Sequence, residues 1–253
     1  IDWMLQINSV NNGNCLDLMN DINDKSIDMI LCDLPYGTTA CKWDTVIPFE
    51  PLWEQYNRAI KDNGAIVLFG SEPFSSFLRM SNIKQYKYDL IWQKEQSSNF
   101  MLAKKQVGKI HENISIFYNK QCKYNPQMTT GCKPSVSGSK NKIETSGGSE
   151  GGKECSTRTG ATDRYPVSIL KYNRDKNKSG IDSFHPTQKP VALFEYLIKT
   201  YTNEGELVLD NCAGSGTTAI ACLRTNRNYI LIEQETKYCD IANKRIAEFI
   251  PWN

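Results

Sequence analysis

Five consecutive apolar residues, Ala65-Ile66-Val67-Leu68-Phe69, run without a polar alternate. A strand of that kind is covered on both faces, which places it inside a parallel sheet with helices packed above and below. Ser26-Ile27-Asp28-Met29-Ile30-Leu31, Glu206-Leu207-Val208-Leu209-Asp210 and Tyr229-Ile230-Leu231-Ile232 read as further strands of the same sheet. Helical spacing separates them. Leu52, Trp53, Tyr56, Ala59 and Ile60 share one face of a helix over Phe49 to Lys61, with Asn63-Gly64 as its stop. Leu193, Leu197 and Tyr201 mark another behind Pro190. The expected fold class is α/β, with helices on both faces of one sheet.

The remaining chain fits that frame. Met4 to Val10 reads as a short strand, and Asn11-Asn12-Gly13-Asn14 as a turn into a helix near Cys15. Gly70-Ser71-Glu72-Pro73 caps a helix through Phe77 and Leu78. Tyr86, Tyr88, Leu90 and Trp92 alternate with polar neighbours, as do Ile114, Ile116 and Tyr118, so these two strands are expected to pair antiparallel. A last helix spans Thr236 to Phe249.

With 253 residues, 40% of them hydrophobic, the chain can bury one substantial core. Nine cysteines, an odd number with no Cys-x-x-Cys pair, read as reduced thiols, several of them small apolar fillers. His111-Glu112 lacks the second histidine of a zinc helix, so no metal is expected. No apolar run reaches bilayer length and no charged-then-apolar leader opens the chain, which predicts a soluble cytoplasmic protein. A net charge of +2 means that any nucleic-acid footprint must come from local clusters.

Chemistry concentrates first at Asp33-Leu34-Pro35-Tyr36, directly after a strand. Open α/β sheets bind ligands outside the carboxyl ends of their strands. There Asp33 and the Leu34 carbonyl can accept the two hydrogens of an exocyclic amine, Pro35 fixes the backbone, and Tyr36 offers a stacking face. An ordinary Pro-Tyr turn at a strand end is the competing reading. Trp43, in the polar loop that follows, either covers a ligand or plugs the core.

Lys94, Lys104, Lys105 and Lys109 lie between the two alternating strands, where phosphate contacts or a solvated loop are both expected outcomes. From Asn119 to Ser183 periodicity dissolves, and twelve Lys or Arg stand against six Asp or Glu. Thr145 to Gly152 has linker composition. The segment is either a disordered insertion or a recognition region that orders on DNA; the features that flank it favour the second, with Arg158, Arg164, Lys171, Arg174, Lys176 and Lys178 then available to phosphates.

The second concentration is Asp210-Asn211-Cys212-Ala213-Gly214-Ser215-Gly216-Thr217-Thr218-Ala219, a glycine turn entering a helix, with Glu233 ending the next strand. Gly214 to Ala219 satisfies the dinucleotide pattern, so a nicotinamide oxidoreductase is one reading. Against it, Asp210 and three more residues intervene before the first glycine, and the added acid suits a sulfonium better than a pyrophosphate.

Asp33-Leu34-Pro35-Tyr36 resembles the (D/N/S)-P-P-(Y/F/W) signature of the amino-methylating DNA methyltransferases, with Leu34 in place of the first proline. The Asp210 to Thr218 turn resembles their S-adenosylmethionine loop, and His185-Pro186-Thr187-Gln188-Lys189-Pro190 the segment that precedes it. Pocket motif first and cofactor loop last is the order of the circularly permuted β class. The resemblance implies a Rossmann-like, circularly permuted methyltransferase sheet with a catalytic half at 1–118, a target-recognition insertion at 119–183 and a cofactor half at 184–253. It implies catalytic roles for Asp33, Leu34, Pro35 and Tyr36.

S-adenosylmethionine contacts are implied for Asp33, His185, Thr187, Asp210, Cys212, Ala213, Gly214, Ser215, Gly216 and Thr217, with Glu233 on the ribose. Asn14, beside Gly13 where the class carries an acid, would accept from the adenine. Asp at the head of the motif is similar to the adenine-N6 branch, since the cytosine-N4 branch usually carries Ser. Double-stranded DNA, a second copy of the chain and a cognate restriction endonuclease are the partners that the class implies, in a prokaryotic or phage-encoded setting. Cytosine-N4 transfer on the same scaffold, and a DNA-binding protein with a degenerate cofactor site, are the alternatives. Cytosine-C5 chemistry would need a nucleophilic cysteine after proline, and no Pro-Cys pair occurs.

Overall fold

The computed structural model describes residues 5–38, 44–97, 101, 103–134, 160–173 and 188–249. Trp43, Arg158, Arg174, Lys176, Lys178, His185, Thr187 and the 145–152 segment lie outside them. Two compact units form, one from Ile1–Asn125 with Ser168–Asn253, the other from Pro126–Val167.

Among the described residues the larger unit holds eight strands: β1 (Ser9–Asn12), β2 (Ile27–Cys32), β3 (Ile60–Gly70), β4 (Tyr86–Gln93), β5 (His111–Phe117), β6 (Ile169–Lys171), β7 (Leu207–Asp210) and β8 (Asn228–Glu233). They lie in the order β1-β8-β7-β2-β3-β5-β4-β6. Only β5 runs against its neighbours; the other pairings are parallel. The described residues also form six α-helices: α1 (Cys15–Leu18), α2 (Phe49–Ala59), α3 (Phe74–Ser81), α4 (Val191–Tyr201), α5 (Thr217–Arg224) and α6 (Thr236–Ala247).

The unbroken apolar runs are explained by burial on both sides. Met29, Leu31, Ala65, Val67, Phe69, Val208 and Leu231 point to one core with α4 and α5. Ile30, Cys32, Ile66, Leu68, Leu209, Ile230 and Ile232 point to the other, with α2 and α3. Alternate residues of a strand face opposite sides of a sheet, so a strand with two cores has no polar position to give away. Asp28 is the exception and is buried in β2. Its carboxylate accepts from Lys61 Nζ at 2.8 Å, Lys123 Nζ at 2.9 Å and the Leu207 amide at 3.1 Å, tying β2 to β3 and β7. Burial opposes its charge, but those donors hold the carboxyl below the usual range.

Two local expectations are corrected. Asn11 and Asn12, read as turn residues, belong to β1; their side-chain amides donate to the Leu231 and Glu233 carbonyls of β8 at 3.0 and 2.9 Å. Asn63-Gly64 does not stop a helix in a turn: α2 ends at Ala59 and the pair lies inside β3. An asparagine that can reach a neighbouring backbone substitutes for a turn partner, and an edge strand leaves room for it.

The connection from β2 through α2 leads to β3, while that from β7 through α5 leads to β8, on the opposite side. Since β2 and β7 are parallel neighbours, a crevice opens between their carboxyl ends, at the point where the winding reverses. Within the smaller unit, Thr129 and Arg164 bridge antiparallel. Among the described residues no helix is long and apolar enough to cross a membrane.

Candidate active site

The carboxyl ends of β1, β2, β7 and β8 surround one cavity of about 360 Å³. That falls within the roughly 300–1,000 Å³ of small-molecule sites. Gly13, Asn14, Asp33, Tyr36, Gly214 and Glu233 are among its lining residues. The two motifs, far apart in the chain, therefore share one space.

Asp33 follows β2 directly, and its side chain is 23% exposed, on a residue that lines the cavity. Its two oxygens have different partners. Oδ1 accepts from the Tyr36 hydroxyl at 2.5 Å, and Oδ2 from Lys189 Nζ at 2.5 Å. Tyr36 rests against Phe74, ring centroids 5.2 Å apart, so its hydroxyl is aimed as well as its ring. Leu34 sends its side chain into the core below and anchors the motif. Gly37, at φ 68°, turns the chain, and the buried Asp44 accepts from the Gly37 and Thr38 amides at 2.8 and 2.9 Å.

Behind Asp33 lies a chain of buried charges. Lys189 is 6% exposed and also stands 3.2 Å from Glu112 Oε2, while Lys94 pairs with Glu112 Oε1. The Lys189 ammonium lies over the rings of Phe69, Tyr36 and Trp92 at 5.4 to 5.9 Å. Two cations and two anions alternate there, enclosed by aromatic rings. Burial, with the Glu112 charge behind it, raises the Asp33 carboxyl despite Lys189. Burial works against the Lys189 charge, but the two carboxylates hold it above the usual lysine value. Burial likewise works against Glu112, whose carboxyl Lys189 and Lys94 keep low.

Lys94 is thereby corrected. Expected at a phosphate-contacting rim, it is only 7% exposed and faces Glu112 and the Trp92 ring. A desolvated ammonium needs a carboxylate partner, and one is at hand. Lys104 and Lys105 are exposed as expected, and so is Lys171 at the end of β6. Lys109 is half-buried and donates to Ser71. Arg164 directs its guanidinium to the Ala161, Asp163 and Lys133 carbonyls, which ties its segment to that of Lys133.

On the other side, Glu233 Oε2 accepts from the Gly214 amide and Oε1 from the Glu235 amide, each at 2.8 Å. Gly214 has φ 51°, and a Cβ there would meet nothing within 4 Å, so the turn opens onto empty space. Asp210 lines the cavity and is also a clamp: its oxygens accept from the Cys212 amide at 3.1 Å and from the Thr218 hydroxyl. Burial pushes its pKa up to about 7. Asn14 lines the cavity, but its side-chain oxygen caps α1 by accepting from Leu16 N at 2.9 Å. Ser215 is held from α6 by Arg245, which donates to its carbonyl at 2.5 Å and its hydroxyl at 2.9 Å.

Sequence reasoning missed Lys189 as an ion partner, Glu112, Asp44 and Arg245. The only available signal was a lysine between Gln188 and Pro190 immediately before an apolar helix, where a solvated charge is out of place.

The larger features are shared with known proteins. Type II methyltransferase M2.MboI of Moraxella bovis is 26% identical over 94% of this chain and 87% of its own. The solved M1.HpyAVI-SAM complex superposes with a TM-score of 0.63 at 22% identity, over 94% of this chain and 98% of that one. The cytosine-N4-specific PvuII DNA methyltransferase gives 0.68 at 16% identity, over 96% and 88%. Residues 27–244, which span both motifs and the sheet that brings them together, match the N6/N4 methyltransferase family of DNA methylases, and the chain belongs to that family.

Proposed function

We propose that this DNA methylase transfers a methyl group from S-adenosylmethionine to the N6 amino group of an adenine turned out of double-stranded DNA. The observation that carries it is the Asp33 carboxylate on the wall of the cavity that Gly214 and Glu233 also line. Asp, not Ser, heads the motif, which favours adenine over cytosine-N4.

The residues fit the cofactor. Glu233 has acceptor capacity left for ribose hydroxyls, Gly214 leaves open the space that a side chain would fill, and α5 begins beside the cavity with amides suited to a carboxylate. M1.HpyAVI, with the same fold, has been solved with SAM. Cys212, Ala213, Ser215, Gly216 and Thr217 would shape the loop, with His185 and Thr187 toward the methionine end. When bound, S-adenosylmethionine supplies an electrophilic methyl group on a sulfonium.

An adenine amine is a poor nucleophile because its lone pair is delocalised into the ring. Asp33 and the Leu34 carbonyl accept its two hydrogens, draw the nitrogen toward tetrahedral geometry and stabilise the charge that grows there. Tyr36 holds Asp33 from one side and Lys189 from the other, so the acceptor is oriented before the base arrives. Turning the base out costs a few kcal/mol, partly offset by stacking on Tyr36.

The arrangement also suits the circularly permuted β class: β1, at the start of the chain, pairs with β8, near its end. We read 119–183 as target-recognition region and Lys104, Lys105 and Lys171 as phosphate contacts.

The test is incubation with labelled S-adenosylmethionine and varied duplex DNA, followed by digestion to nucleosides. Label in N6-methyladenine is expected, lost by about 10²-fold or more in Asp33→Ala. Label in N4-methylcytosine alone overturns the base assignment, and near-normal turnover by Asp33→Ala overturns the pocket.

A further inference from the structure

Asp33 and Lys189 set an acceptor and a donor side by side. Asp33 Oδ2 and Lys189 Nζ are 2.5 Å apart, and both residues line the cavity together with Tyr36. The Tyr36 hydroxyl takes Oδ1, so Oδ2 is the oxygen beside the cation. A carboxylate oxygen has two lone-pair sites and an ammonium three N–H groups. Their mutual bond uses one of each. Glu112 Oε2, at 3.2 Å, claims at most one further N–H, and among the described residues it accepts no hydrogen bond. Neither carboxylate therefore uses the remaining N–H. The ring faces of Phe69, Tyr36 and Trp92, at 5.4 to 5.9 Å, give the ammonium a diffuse attraction in place of an acceptor atom. On a side chain only 6% exposed, a donor left unspent is costly until a ligand takes it.

We propose that Asp33 and Lys189 together read the Watson–Crick edge of the extruded adenine, Oδ2 accepting from the N6 amine and Nζ donating to ring nitrogen N1. The assignment rests on the adenine reading above and goes beyond it, since that reading gives Lys189 no contact with the base.

The connectivity of the base selects this edge. N6 and N1 are joined through a single carbon, so the donor and the acceptor of adenine are as close as two atoms in hydrogen-bond contact. N7 is two carbons from N6 and too far to match such a pair. In the duplex thymine meets the same edge with a carbonyl oxygen beside an N–H. In the cavity Asp33 stands for that oxygen and Lys189 for that N–H, so the extruded base recovers both hydrogen bonds it gave up. Guanine and thymine carry an N–H at the ring position concerned, which would set donor against donor. Cytosine offers the same pair through N4 and N3. The contact therefore selects an amine beside a ring acceptor, and not purine over pyrimidine.

The full chain is assayed on duplexes carrying the site that the nucleoside assay locates, with adenine, 1-deazaadenine or 7-deazaadenine at the methylated position. Replacing N1 by C–H keeps the amine and removes the acceptor. It also weakens the pair with thymine, so slower transfer does not come from a harder extrusion. We expect kcat/KM to fall about 10- to 100-fold for 1-deazaadenine and to stay within about three-fold for 7-deazaadenine. In Lys189→Met the ratio between adenine and 1-deazaadenine collapses toward one. Lys189→Gln, which keeps a neutral N–H, is the second variant and gives an intermediate ratio. Equal transfer to adenine and 1-deazaadenine overturns the contact and leaves the adenine-N6 reading standing. A penalty undiminished in both variants gives N1 to another donor, and a loss confined to 7-deazaadenine gives the other edge; each overturns the proposal. Absence of label from unmodified adenine overturns the underlying reading instead.

Discussion

The Lys189 ammonium lies 2.5 Å from Asp33 and 3.2 Å from Glu112, and it balances the Asp33 carboxylate from inside the protein. Lys189→Met removes a cation shared by two largely desolvated carboxylates. Breaking such a pair costs about 3–5 kcal/mol, which urea denaturation reads directly. Glu112→Gln in the same chain recovers part of the loss, because one uncompensated charge disappears. A second readout is the acid limb of methyl transfer. Asp33 can offset the charge that grows on the amine only when ionised, burial already raises its carboxyl, and without Lys189 it rises further. Activity of Lys189→Met then falls at a higher pH than that of the wild type. An unmoved limb would show that Lys189 does not set the charge of Asp33.

Asp210 makes stability depend on pH in an unusual direction. Its carboxyl is raised from 3.8 to about 7 by burial. A raised carboxyl favours the folded state fully below its unfolded value, and that contribution is lost as pH climbs through the folded one. At 1.36 kcal/mol per unit, the loss between pH 4 and 7 is on the order of 4 kcal/mol. Asp210→Asn keeps an acceptor for the Cys212 amide and removes the titration. Urea midpoints of the two proteins, compared from pH 5 to pH 8, diverge in favour of Asp210→Asn as pH rises. A constant gap would mean that Asp210 is ionised throughout.

Two glycines of one turn separate stability from binding. Gly214→Ala meets open space, so its cost is the left-handed backbone alone, about 1–2 kcal/mol. At Gly216 the same backbone is combined with a Cβ 2.8 Å from that of Ala242. Overpacking adds about 1–3 kcal/mol there. Gly214→Ala therefore loses affinity for S-adenosylmethionine more than it loses melting temperature, and Gly216→Ala the reverse. Calorimetric titration beside thermal unfolding distinguishes them; equal profiles would place Gly214 away from the ligand.

What could be read from the chain was whatever periodicity or turn chemistry records. Ala65 to Phe69 announced a strand between two cores, and Leu52, Trp53 and Tyr56 a helix face, because burial leaves a repeating mark. Asp33 and Gly214 were legible as ends of such runs, where a carboxylate or a glycine has few structural uses. Asn11 and Asn12 misled because the side chains that favour turns can equally bond to a neighbouring strand. The ion chain left little mark beyond the placing of Lys189 directly before an apolar helix. Lys189 and Asp33 stand 156 positions apart, and a buried lysine looks in sequence like any solvated one. Lys94 was misplaced for that reason.

The basic loop after β4 offers a test in which two kinds of lysine behave differently. Lys104 and Lys105 are exposed, and a lysine that neutralises a phosphate releases a counterion. Each such contact contributes about 0.9 to the slope of log K against log salt, so Lys104→Ala with Lys105→Ala flattens that slope by about 1.8. Lys94, from the same stretch, is sealed against Glu112 and Trp92. Lys94→Met leaves the slope unchanged and lowers the urea midpoint, since Glu112 loses one of its two cations. Fluorescence anisotropy with duplex DNA between 50 and 200 mM salt, a window of roughly 10³-fold or more for a strongly electrostatic complex, resolves the two behaviours. A double variant with an unchanged slope would take the DNA backbone away from this loop.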